Sequence, residues 1–227
     1  MAESFPVTDR TRVRRKAKRA TYDRATLYAI LDEALIASVA VVIDGQPQVQ
    51  PMIHVRVGDD IILHGLATNR LLDALLGGAE ACLNVTLVDA LVLACRIEDH
   101  SFHYRSVTLY AKAAEVKDAG EKMALMGQVF ASLVRSDRYA SLPPLDAAYL
   151  KGTRVLRLPI GECVGKINDG HSDGTQDADP ADGAAGIWSG IVPLALRAGT
   201  PIPDRRTAAE AIEPDGTIGN YGRERSA

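Results

Sequence analysis

The sequence predicts a mainly β fold, an antiparallel barrel, closed or split, with helices at its periphery. Three observations lead there. Residues 36–64 hold three short apolar or alternating runs joined by Asp44-Gly45 and Gly58-Asp59-Asp60, turns short enough only for antiparallel neighbours. Further alternating runs follow at 81–94, 103–116 and 153–158. Between the runs stand segments whose apolar residues recur at helical spacing, too few and too scattered for a β-α-β series.

Taken in order, the chain divides into four parts. Residues 1–20 form a basic N-terminal arm, with Arg10, Arg12, Arg14, Arg15, Lys16, Lys18 and Arg19. Its first dozen residues are expected to be solvated, while Lys18 to Arg24 is a candidate to lie over an anionic site or a partner subunit. Residues 21–167 form the barrel domain. Asp23 caps a helix to Ser38 with Leu27, Ile30, Leu31, Ala34 and Leu35 on one face. Ile36–Ile43, Gln48–Val57 and Ile61–His64 are the first strands, and Pro51 marks a bulge or an edge. A short helix from Arg70 stops at Gly77-Gly78. Ala81–Ala94 is either one long bent strand or two joined near Val88-Asp89. His103–Val116 is a long strand. Asp118 with Glu121 opens a helix ending near Arg135, with Met123 and Met126 as core filler. A short helix from Pro143-Pro144 precedes the strand Thr153–Leu158, with Pro159–Ile167 as its candidate continuation. Residues 168–186, rich in Gly, Asp and Ala, read as a linker. Residues 187–227 are an extension carrying the only tryptophan, Trp188.

Composition excludes several functions. Twenty-six basic against 29 acidic residues give −3, which argues against a nucleic-acid partner. Three widely spaced cysteines without C-x-x-C, no apolar leader and no membrane-length run suggest a cytoplasmic protein with no membrane partner. The five histidines show no H-E-x-x-H or zinc spacing, so no metal site is expected. Neither a G-x-S-x-G elbow nor a G-x-G-x-x-G or Walker loop occurs. What remains is an anion site built from two polar clusters. Thr68, Asn69 and Arg70 fall at a helix start, where free N–H groups attract anions. Arg105 and Ser106, in Phe102–Val107, offer a second set of phosphate-binding side chains.

Several pieces, in this order, resemble a known family: Lys18–Asp23, Ile30–Leu35, Asp44–Pro47, His64-Gly65 with Arg70, Val85–Ala94, Phe102–Val107, Leu156–Ile160 and Trp188–Leu194. They resemble the flavin-nucleotide-binding proteins of the pyridoxamine 5′-phosphate oxidase-like superfamily, in the branch of the nitroimidazole-resistance reductases. The resemblance implies an FMN-binding split β-barrel and a homodimer with FMN at its interface. It implies that Thr68, Asn69 and Arg70 hold the FMN phosphate, and that Tyr104, Arg105 and Ser106 complete the phosphate and ribityl contacts. Pro51, Met52, Ile53 and His54 would run beside the isoalloxazine. His64, at a strand end beside the cleft, is either the candidate for touching substrate or a structural histidine bonded to a carbonyl, and Trp188 either packs on the barrel or covers the ligand. Leu66 and Asn69 depart from the family's usual serines, and His103 from its usual Asn. The activity implied is an FMN-dependent oxidoreductase for a small electron acceptor, nitroaromatic or quinone-like, with NAD(P)H or another reductant as donor. Its rivals are a non-catalytic flavin-binding module and a haem-binding split barrel with a histidine ligand.

Overall fold

The structure is a computed structural model, and it describes residues 3–134, 142–170, 187–205 and 207. Its centre is the hairpin of β2 (Ile36–Ile43) and β3 (Gln46–Val57). Asp44 and Gly45 both have positive φ, 52° and 74°, the pair a two-residue type I′ turn demands. Gly58, at φ 61°, then turns β3 into β4 (Asp60–Leu66). Adding β1 (Ala20–Thr21), β5 (Glu80–Leu93), β6 (Ser101–Lys112), β7 (Ala114–Glu115), β8 (Thr153–Pro159) and β9 (Glu162–Asn168) gives the order β1-β9-β6-β5-β2-β3-β4-β8-β7. Every pairing is antiparallel.

β3 is shared between two parts of this sheet. Residues 46–53 pair with β2 and residues 54–57 with β4. Beyond Leu63, β4 has no β3 neighbour, so the barrel is split beside His64, Gly65 and Leu66.

Two cores follow from the split. The larger lies inside the barrel, where Leu27, Ile30 and Leu31 of α1 (Arg24–Glu33) meet Val39, Leu63, Leu83, Val107 and Leu109. The smaller lies behind β4 and β8. There Ile62 and Val155 meet Met126 and Val129 of α3 (Ala119–Val134) and Leu150 of α4 (Ala147–Lys151). Burial of such side chains from water is the main stabilising term.

The structure differs from the sequence reading in five places. α1 stops at Glu33, because Ile36–Ser38 bond to β3 and leave no residues for another helical turn. The Ala81–Ala94 run is the single bent strand of the two readings, with a bulge between Val88 and Ala90, whereas the His103–Val116 run is broken, since β6 stops at Lys112 and Ala114–Glu115 pairs with β8 instead. β9 is a separate strand from β8, on the opposite side of the sheet order. The first residues are not a solvated arm: Phe5 and Thr11 are buried, and the Tyr22 hydroxyl donates to Thr11 O at 2.8 Å. Finally, Gly190–Pro193 forms β10, paired with Ala90–Leu93 of β5 on the edge that β2 vacates. Most of the 168–186 linker, together with Arg135, His171 and the tail from 208, lies outside the described residues.

Candidate functional site

The turn between β4 and α2 (Arg70–Leu76) comes first. Asn69 is the helix N-cap. Its Oδ1 accepts from the backbone N–H groups of Leu71 at 2.9 Å and Leu72 at 3.3 Å, and its Nδ2 donates to Gln50 at 3.3 Å. The donors offered to an anion in the sequence reading are thus bonded to the helix's own cap. Arg70 donates to Asp44 at the hairpin tip at 3.1 Å, and both side chains are exposed. Thr68 is exposed beside them.

Arg105 and Ser106 are neighbours on β6, so they point to opposite faces. Arg105 points inward. Its guanidinium donates to both oxygens of Asp89 at 3.0 Å and to Glu33 at 2.5 and 3.0 Å. Protein carboxylates therefore occupy the fork where a phosphate was expected. The cause is local: the bulge turns both Asp89 and Ala90 inward, and α1 ends on Glu33.

Ser106 and Tyr104 point outward, onto a sheet face that no helix of the described residues covers. Ser106 Oγ donates to Lys166 O at 3.2 Å. In the same register lie Asn84, Thr86 and Thr108, with Asn84 donating to Thr108 at 2.9 Å and Thr86 to Asn84 at 3.0 Å. This hydroxyl tract was missed, although the polar alternation of Asn84 and Thr86 was its signal.

On β3, alternation separates the expected flavin contacts. Pro51 and Ile53 face outward, while Met52 and His54 are buried. His54 Nε2 lies 3.0 Å from Leu31 O, so that nitrogen carries the proton. Its Nδ1 is buried without a partner, and burial lowers the ring's pKa. A cleft of about 260 Å³ runs along this edge between the ends of α1 and α3, lined by Leu31, Leu35, Ile53, Arg56 and Leu133 among others.

His64 stands at the split. Ile62, His64 and Leu66 share one face of β4 and run from fully buried to exposed. The imidazole packs edge-on against Phe130 of α3, centroids 6.1 Å apart, and Phe130 in turn meets Tyr149. Nδ1 is buried and has no hydrogen-bond partner among the described residues, and burial lowers the pKa. Trp188 is exposed and lies over Gly190, where an added Cβ would fall 2.7 Å from the indole.

This architecture has relatives. A flavocytochrome from Azotobacter vinelandii is 31% identical, with TM-score 0.80, over 92% of this chain and 95% of its own. The FAD and haem binding protein from Mycobacterium smegmatis is also 31% identical, with TM-score 0.78, over 87% and 95%. A putative 5-nitroimidazole antibiotic resistance protein from Bacteroides thetaiotaomicron shares the fold at 17% identity and TM-score 0.56, over 65% and 86%. No curated protein sequence matches the chain significantly. The family model described as pyridoxamine 5′-phosphate oxidase matches residues 23–167, which spans the split barrel from the α1 cap to the end of β9. The chain belongs to the pyridoxamine 5′-phosphate oxidase family of split barrels.

Proposed function

We propose that the chain is a flavin-binding redox protein that also holds a haem, with His64 as the residue that would hold it. The observation that carries this reading is the similarity, over almost the full chain, to a flavocytochrome and to an FAD and haem binding protein, each at 31% identity. The residues fit a haem. His64 is a histidine whose ring makes no protein hydrogen bond through Nδ1, at the open side of the barrel. Its depressed pKa keeps it neutral near pH 7, the form that can coordinate iron. Phe130, Ile53 and Leu66 give apolar walls, which suit a macrocycle.

When bound, flavin and haem supply the electron transfer, and the protein supplies position and electrostatics. Phe130 fixes the imidazole plane. The outward hydroxyls of Thr86, Ser106 and Thr108, with Lys166, suit a ribityl chain and its phosphate, and Thr68 and Arg70 offer further donors. The flavin is FMN by resemblance, and FAD by the Mycobacterium smegmatis relative. A homodimer would cover the bare outer face, where Ile36, Val42 and Val49 are exposed and apolar. A nitroaromatic or quinone-like acceptor with NAD(P)H as donor remains part of this reading.

The test is the absorption spectrum of the purified protein and the mass of the flavin released from it. Flavin bands together with a Soret band are expected. His64→Ala should abolish the Soret band and keep the flavin bands. A Soret band that survives the substitution moves the ligand elsewhere, and a protein that takes up neither cofactor sinks the proposal.

A further inference from the structure

We propose that the loop of residues 12–18 is a docking surface for a small acidic electron-carrier protein. The inference rests on the redox reading above. The loop is pinned at both ends. At one end Arg10 pairs with Glu80 and Glu162 and lies 4.1 Å over the Tyr110 ring, while Thr11 is buried. At the other end Ala20 and Thr21 pair with Lys166 and Gly165 of β9. Between them Lys16 takes a left-handed conformation, φ 54°, and starts a single 3₁₀ turn over Ala17–Arg19. The loop therefore has a set shape.

Four of its five cations point into solvent. Arg12, Arg14, Arg15 and Lys18 are exposed, and none has an ion-pair partner among the described residues. Arg10 differs, because its charge is taken up by two glutamates. Like charges held close repel one another, and here they oppose the chain's overall charge of −3. The exposed cations stand beside the Lys166–Ser106 tract, because β1 pairs with β9 at Lys166.

Three occupants compete for such a surface. A small anion would need convergent, partly enclosed donors, and these side chains point into solvent. A nucleic acid would need a broader positive field than a net acidic protein offers, and no aromatic side chain lies within residues 12–18 for bases to stack on. An acidic protein needs only a fixed positive patch that steers encounter and lets the complex part quickly. A redox protein also needs a source of electrons, and a fixed positive patch suits a protein donor alongside NAD(P)H.

The experiment is anaerobic stopped-flow reduction of the purified holoprotein by a reduced plant-type [2Fe–2S] ferredoxin. The comparison is with R12Q/R14Q/R15Q/K18Q. The wild-type second-order rate constant should fall at least about tenfold between about 0.02 and 0.5 M salt. The variant should start about tenfold lower at low salt and lose most of that dependence. Dithionite, a small reductant, should reduce both proteins equally, which separates docking from damage to the redox centre. Equal ferredoxin rates in both proteins overturn the proposal. So does tight binding of a duplex DNA of about 20 base pairs that displaces ferredoxin from the wild type. If the protein purifies without a chromophore, the redox reading fails by itself. Docking is then read by co-sedimentation with oxidised ferredoxin at low salt, where absence of a complex overturns it.

Discussion

Arg105 is the residue on which packing and ligand binding compete for the same atoms. Its guanidinium is almost buried between Asp89 and Glu33, and it joins α1 to the bulge of β5. Arg105→Met would remove the guanidinium that the two carboxylates share. A loss of about 3–5 kcal/mol in unfolding free energy is expected, read from urea midpoints. Adding Glu33→Gln should recover part of it, because one of the two negative charges is removed. A loss under about 1 kcal/mol would mean that the pair is not formed in solution. This arrangement was invisible in the sequence, since Asp89 lies 16 residues away and Glu33 lies 72. Local chemistry reads better. The helix start at Arg70 was legible from the residues around it, and Asn69 occupies the cap position that its side chain favours. What could not be read was that the cap takes up the N–H groups of Leu71 and Leu72, leaving the Thr68 and Arg70 side chains as the remaining donors.

At the scale of elements, β9 approaches α1 closely because Gly165 has no side chain. A Cβ there would lie 2.4 Å from Leu27 Cδ2 and 2.7 Å from Thr21 Cγ2. Gly165→Ala should therefore destabilise the fold by about 1–3 kcal/mol, as overpacking does. Gly161→Ala, with nothing within 4 Å of the added carbon, is the matched control and should shift the urea midpoint little. The strands were legible wherever a turn signal bounded them, as at Asp44-Gly45 and Gly58. They were not legible where tertiary pairing decides. Residues 34–38 satisfy a helical face as well as a strand, and only the partner β3 selects the strand. β10 is four residues long, and its existence depends on an edge of β5 more than 90 residues earlier.

At the scale of the whole molecule, two histidines couple stability to pH. Burial depresses the pKa of both His54 and His64 below the ordinary 6.5. The unfolded chain therefore binds protons at a pH where the folded chain refuses them. Stability is fully present above about 6.5 and declines as pH falls through that value, until the folded-state values are reached. Urea midpoints of the cofactor-free protein should drop between about pH 7.5 and 5.5. His54→Gln, which keeps a donor for Leu31 O, should flatten the decline. An unchanged slope in that variant would assign the pH dependence to other groups. The split itself belongs to this scale. A strand shared by two sheets, with separate cores on either side, opens the barrel beside His64 while each half stays packed.

The bulge at Val88–Ala90 has a wider consequence. One extra residue in β5 does to the strand what a frameshift does to a message. Before it, odd-numbered residues such as Leu83 and Val85 face the core; after it, even-numbered ones such as Ala90 and Val92 do. Straightening the bulge with that residue kept would turn the end of β5 inside out, and β10 with it, whereas deleting Asp89 would leave Ala90 and Val92 facing the core. The chain thus keeps two reading frames in a single strand, and Asp89 is the punctuation between them.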